Sequence, residues 1–328
     1  MKKFNYGTAI LDGFEYLLEH YPETFVIGQG LWSPWYVGNS MTDLDKKFGV
    51  ERIIDTPVSE SACTGAAVGA SLAGMKPIVV HPRMDFMLYA IDPIVNQAAK
   101  WSHMLGGQSS PGLTIRSIIN RGGEQGAQHS QALHAWFAHI PGIKVVMPST
   151  VADARDLLIS SVLSKDPVIY IDDRWCYDQE DSLVDVVEID LDDISPKILS
   201  KGKEITIVAC GYATYLAQKA EKILNASYKI NAEIIDVRIL NPFKPESIIH
   251  SVKKTRNLVV VDPGTKTSSF AAEIISSVME NMPSNIMKSA PVRITLPDAP
   301  APTSRVLEEA YYFTDQDIVD VVKNVLNK

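Results

Sequence analysis

Apolar residues at Ile10, Leu11, Phe14, Leu17 and Leu18 recur at helical spacing and predict a helix over 8–20. A short β-rich run over 24–28 follows, and others recur at 52–56, 76–81, 113–119, 143–147 and 167–172. Between them the pattern predicts helices from Ser59 or Glu60, over 92–104, and over 151–164, where Thr150 and Asp153 have the spacing of a capping box. Residues 122–131 are rich in Gly and Gln and lack either period, which predicts an irregular loop. Short strands alternating with helices point to α/β architecture with a largely parallel sheet.

A break follows. Between Asp178 and Asp193 there are eight acidic residues and no basic one, the pattern of a solvated edge and linker. From Glu204 the alternation restarts: strand from 204, helix 214–224, strand 232–238, helix 245–254, strand 257–264, helix from 269. At roughly 150 residues per domain, 328 residues make about two. The expected division is a domain over 1–190, a linker over 191–200 and a second domain over 201–328.

Composition narrows the function. The 31 Lys and Arg against 39 Asp and Glu leave a formal charge of −8, and nucleic-acid binding needs a basic face instead. Cys63, Cys176 and Cys210 lie far apart with no CxxC pair, so a disulfide framework or zinc knuckle is not expected, and a reducing, cytoplasmic setting is. The most apolar uncharged run, 61–75, is shorter than the roughly 20 residues of a membrane span. No P-loop, GxGxxG, HExxH or GxSxG is present, and no side-chain metal site is expected.

Three residues remain as candidate chemistry. Glu60 opens a helix that continues with the small residues Ala62, Gly65, Ala66 and Gly69, where a backbone can approach a ligand or a partner. On spacing alone it reads first as an acid favoured by the helix macrodipole. His129, in the run GAQHSQ, sits in a polar, Gly-rich loop that suits acid–base work or substrate binding. Phe86 follows a buried strand, where an aromatic ring is ordinarily core. His134 and His139 follow His129 at intervals of five, which does not make an i, i+4 metal pair, and they read as structural.

Longer stretches carry a resemblance. TPVSE before a Gly/Ala helix, DFMLYAIDPIVNQAAKW, GAQHSQALHAWFAHIPGIKVVMPST and IIDVRILNPFKPESIIHSVKKTRNLVVVD are similar to the β subunit of the thiamine-diphosphate-dependent 2-oxoacid dehydrogenase E1 component. The resemblance runs in order over nearly the whole chain. It implies a transketolase-like pyrimidine-binding domain, its parallel sheet flanked by helices, followed by a transketolase C-terminal α/β domain. It also implies an α2β2 assembly that decarboxylates a pyruvate-like 2-oxoacid and passes the acyl group to lipoyl on an E2 partner.

Carried over by position, Glu60 matches the acid that hydrogen-bonds N1′ of the aminopyrimidine and must hold a proton at neutral pH. Phe86 matches the aromatic stacked on that ring, and His129 the histidine that helps substrate binding and acyl transfer. Diphosphate and Mg2+ are held in the family mainly by a GDG motif of the α subunit, and this chain has no GDG. A monovalent ion held by main-chain carbonyls leaves no side-chain signature and stays open. The Gly65/Gly69 helix reads as a subunit-packing surface or as close packing within its own domain.

Two departures from the resemblance concern the pocket. Gly28-Gln29-Gly30 replaces an acidic pattern, and Arg83, with His81 and Arg121, places positive charge nearby. Arg83 is therefore a candidate for binding an anionic substrate, beside His129. A second reading keeps the decarboxylation but hands the acyl carbanion to an aldehyde, ketone or sugar, with no lipoyl partner. A split transketolase half and a non-catalytic assembly paralogue are further alternatives; GAQHSQ disfavours the first, and Glu60, Phe86 and His129 together disfavour the second.

Overall fold

In the computed structural model, which describes residues 2–283 and 285–328, the chain forms two units. One comprises residues up to Arg121 with Trp136–Ile194, the other Gly122–Ala135 with Ser195–Lys328. The Gly/Gln-rich segment is thus part of the second unit, although strands of the first flank it in sequence.

The first unit begins with strand β1 (Lys2–Asn5) and helix α1 (Tyr6–His20). The helix starts two residues before the predicted start at 8 because Asn5 caps it: the Thr8 N–H donates to Asn5 Oδ1 at 2.8 Å, and the Asn5 N–H to Thr8 Oγ1 at 2.9 Å. Then come β2 (Thr24–Gly28), the short helices α2 (Pro34–Val37) and α3 (Leu44–Phe48), β3 (Ile53–Asp55), α4 (Glu60–Leu72), β4 (Lys76–His81) and α5 (Met84–Met87). The predicted helix over 92–104 is two pieces, a π-helical stretch Asp92–Ala98 and α6 (Ala99–Met104). Then follow β5 (Thr114–Ile119), α7 (His134–Ala138), β6 (Lys144–Val146), α8 (Val151–Leu163), β7 (Val168–Asp173) and β8 (Glu180–Leu183). Thr150 caps α8 as its spacing implies, accepting from the Asp153 N–H at 3.2 Å.

Within this unit the parallel strands run in the order β6-β7-β5-β4-β2-β3. The chain passes from β2 to β3 on one side and then returns to β4 on the other. Connections leaving β2 and β4 in opposite directions open a crevice at their carboxyl ends, the place where open α/β sheets bind ligands. Gly28 ends β2 opposite Val80 of β4, and a Cβ there would lie 2.3 Å from the Val80 carbonyl oxygen. Only glycine lets the two strands meet at the mouth of the crevice.

Charge inside the first unit is paired. Arg116 of β5 is fully buried and forks onto Asp172 of β7, with Nε to Oδ1 at 3.0 Å and Nη2 to Oδ2 at 2.9 Å. Tyr177 and Ser40 accept from the same Nη2, each at 2.8 Å. The acidic stretch lies on the surface as its composition implies, with all eight carboxylate residues exposed. Part of it is ordered as β8, which pairs antiparallel with β1.

The second unit holds β9 (Lys197–Ser200), β10 (Ile205–Ala209), α9 (Tyr212–Tyr228), β11 (Ala232–Asp236), β12 (Ile239–Asn241), α10 (Glu246–Thr255), β13 (Leu258–Thr265), α11 (Phe270–Glu280), β14 (Val292–Leu296), α12 (Arg305–Tyr311) and α13 (Asp315–Leu326). Its sheet has the order β14-β13-β10-β11-β9, parallel except for β9. Every residue of β10 is buried, as a central strand covered on both faces requires. Leu216, Ala220 and Leu224 of α9 and Ile318, Val319 and Val322 of α13 pack with Ile207 and Val259 in one core. Among the described residues no helix is long and apolar enough to cross a membrane.

Candidate functional site

Glu60, Arg83 and Phe86 all belong to the first unit and all follow carboxyl ends of its parallel strands: Glu60 follows β3, and Arg83 and Phe86 follow β4. Those strands flank β2, so the topology delivers the three residues to the crevice side of the sheet. Glu60 is the first residue of α4 and half-buried; among the described residues its carboxylate has no hydrogen-bond or ion-pair partner. The helix N-terminus favours its negative charge. Phe86 is likewise half-buried, on the short α5.

Arg83 is half-buried, and its Nη1 is sealed from solvent with no hydrogen-bond acceptor. Burial holds this guanidinium below its ordinary pKa; Asp85 works against that shift, and neighbouring Arg174 adds to it. A buried cationic donor beside a second cation is a place for an anion. Of the other two cations expected here, one is neutral and the other is paired. His81 is 3% exposed, burial lowers its pKa to about 4, and it is neutral at physiological pH. Its Nε2 lies 3.2 Å from Thr64 Oγ1, one turn along α4 from Glu60. Arg121 donates from Nη2 to Asp173 Oδ2 at 2.7 Å, and its charge is spent there.

Glu60, Phe86 and Arg83 fit one side of a heteroaromatic cofactor: a carboxyl for a ring nitrogen, an aromatic face, and a cation at the edge. They do not fit a diphosphate–metal group. The one group of potential metal ligands among the described residues is His134, Cys210 and Asp262, whose ligand atoms lie within 4.8 Å of one another in the second unit. His129 also belongs to the second unit; it is half-buried, and its N–H donates to the Gly126 carbonyl at 3.4 Å.

Beyond its N-terminus, α4 exposes Ala62, Gly65, Ala66 and Gly69. A Cβ at Gly65 or Gly69 would meet nothing within 4 Å, so close packing inside the domain does not explain these glycines. Of the two histidines read as structural, His134 is fully buried and bonded to Asp262, whereas His139 is exposed. Nothing in the sequence marked the His134–Asp262 pair, whose members are 128 positions apart.

The architecture and the sequence have the same relatives. Residues 2–177 match the transketolase pyrimidine-binding domain, and residues 196–318 the transketolase C-terminal domain. The chain is 35% identical over 289 residues to the mitochondrial pyruvate dehydrogenase E1 component subunit β of Saccharomyces cerevisiae, covering 86% of this chain and 77% of that protein. It is 37% identical over 262 residues to the acetoin:2,6-dichlorophenolindophenol oxidoreductase subunit β of Cupriavidus necator, covering 80% of this chain and 76% of the relative. A solved split-gene transketolase, an inactive β4 tetramer, superposes with a TM-score of 0.75 over 99% of this chain and 98% of its own at 22% identity, a likeness of fold. The two matched domains in this order, and the identity along most of the chain, place this protein in the family of β subunits of thiamine-diphosphate-dependent 2-oxoacid dehydrogenase E1 components.

Proposed function

We propose that this chain supplies the pyrimidine side of a thiamine diphosphate site and completes it with an α subunit in an α2β2 assembly. That assembly decarboxylates a pyruvate-like 2-oxoacid and transfers the acyl group to lipoyl on an E2 partner. The observation that carries this reading is the unpartnered Glu60 carboxylate at the start of α4, on the carboxyl side of the sheet of a pyrimidine-binding domain. Thiamine diphosphate, when bound, supplies the electron sink that decarboxylation requires.

The residues of this chain bind, orient and move protons. Glu60 holds a proton at the ring nitrogen of the aminopyrimidine, and Phe86 stacks on the ring face. Arg83 attracts the substrate carboxylate with the guanidinium nitrogen that lacks an acceptor. His129 orients the substrate and moves a proton during acyl transfer. Mg2+ and the diphosphate belong mainly to the α subunit, since this chain carries no GDG motif.

Exposed apolar surface supports the heteromer. Trp32, Trp35, Val58 and Tyr89 are all exposed and all follow carboxyl ends of β2, β3 or β4; Trp35 and Tyr89 exceed 70% exposure. Large apolar side chains left in water on one side of a sheet mark a protein–protein surface. The open Gly65 and Gly69 positions extend it. The proposed setting is reducing and cytoplasmic, from three cysteines far apart in the sequence with no CxxC pair.

Native mass spectrometry of the complex purified from its own cell tests the reading. A heteromer with bound thiamine diphosphate that acylates a lipoyl domain supports it. A homo-oligomer without the cofactor overturns it, and a heteromer that hands the acyl group only to a carbonyl acceptor replaces the lipoyl step by carboligation.

A further inference from the structure

The segment Gly122–Ala135 carries His129 and packs with the second unit. Contacts that hold it there include three to distant residues. The Glu124 N–H donates to Glu308 Oε2 at 3.0 Å, and Gly126 lies so near Thr303 that a Cβ would fall 2.7 Å from its Oγ1. The third is His134 Nε2 at 2.9 Å from Asp262 Oδ1. Glu124 is exposed, whereas His134 and Asp262 are 0% and 1% exposed, so the third is sealed from water.

Asp262 is itself fixed. Its Oδ1 also accepts from the Gly264 N–H at 2.8 Å, and its Oδ2 from the Ala271 N–H at 2.8 Å, at the start of α11. Burial opposes the charge, but His134 and these two N–H groups outweigh it and hold the carboxyl below the usual range. A carboxylate only accepts, so the hydrogen between the pair sits on His134 Nε2. Nδ1 is then buried without a partner. The imidazole therefore makes one bond, and that bond joins the His129 segment to the end of β13.

We propose that His134 is a positioning residue: through Asp262 it anchors the 122–135 segment on the second unit and sets the place of His129, five residues earlier, for substrate binding and acyl transfer. The proposal rests on the function put forward above. Cys210 completes a trio of ligand types with this pair, but three enclosed ligands fall short of the four of a structural zinc site, and one of them is already committed to a hydrogen bond.

The test uses the αβ complex with His134→Ala, and with His134→Gln, which restores a donor. Amide hydrogen exchange is measured along the chain. In His134→Ala, exchange over 122–135 is expected to rise by about tenfold or more, the loss of one hydrogen bond to a charged group, while β13 and α11 stay protected because Asp262 keeps its two backbone donors. Turnover should fall with KM for thiamine diphosphate unchanged, and His134→Gln should recover part of both effects. Unchanged exchange over 122–135, or a rise spread through β13 and α11, overturns the proposal in favour of a plain core histidine. A stoichiometric metal in the wild-type protein also overturns it, making the trio a metal site. A wild-type complex with no thiamine-diphosphate-dependent decarboxylation defeats the proposed function instead, and the exchange pattern still decides whether His134 anchors the segment.

Discussion

Thr64 Oγ1 lies 3.2 Å from Nε2 of His81, and this contact joins α4, one turn beyond Glu60, to the end of β4. Because the imidazole is enclosed, its pKa falls from 6.5 to about 4. Between those values the unfolded chain binds a proton that the folded chain refuses, so stability rises with pH across the window. The contribution is fully present above about pH 6.5 and is lost as pH falls toward 4, by at most about 3 kcal/mol. Urea unfolding from pH 7 to 4 checks it: His81→Gln should flatten the slope, and an unchanged slope would assign it to other groups.

Glu60→Gln removes the carboxyl proposed to hold a proton at the pyrimidine ring nitrogen but keeps the size of the side chain. Turnover of the assembled complex is expected to drop by about a hundredfold or more, the usual worth of a general acid or base. Assembly and melting temperature should hardly change, since the Glu60 carboxylate has no hydrogen-bond or ion-pair partner among the described residues. Near wild-type steady-state kinetics would remove the residue from the mechanism.

Arg83→Ala takes away the guanidinium whose Nη1 lacks an acceptor. KM for the 2-oxoacid should rise by roughly tenfold, the worth of one charge-assisted hydrogen bond, with a smaller change in kcat. Kinetics indifferent to the substitution would show that this cation serves another purpose.

Gly28→Ala places a methyl group 2.3 Å from the Val80 carbonyl oxygen. The strands must separate where the crevice opens, at a cost of about 1–3 kcal/mol. A lowered melting temperature together with weaker cofactor binding is expected. Loss of stability alone would mean that β2 and β4 do not shape the site.

Asp172→Ala strands the buried Arg116 guanidinium and should cost about 3–5 kcal/mol. Replacing both, with Arg116→Met and Asp172→Leu, should cost less than the single change, because no unpaired charge stays inside. Denaturant midpoints of the three variants decide the order.

Elements with a strong local signal were legible from the chain itself. The runs 24–28 and 76–81 are β2 and β4 to the residue, and Glu60 does open a helix. In contrast β8 lies within the acidic stretch, where no apolar alternation exists, and it is a strand because β1 supplies its hydrogen bonds. The π-helical 92–98 keeps a helical pattern in sequence, so the change of pitch was invisible there.

Sequence alone determined the class of fold and the alternation of strands and helices in both halves, because these rest on local periodicity, and it singled out Glu60, Arg83 and Phe86 as candidates through a family resemblance. Tertiary structure decided the rest. Burial makes His81 neutral and Asp173 pairs with Arg121, whereas Arg83 forms no ion pair among the described residues and keeps a buried Nη1 without an acceptor. His129 groups with the second unit, where His134 bonds an aspartate 128 positions away, and neither fact is local, since burial and long-range hydrogen bonds depend on which distant segments the folded chain brings together.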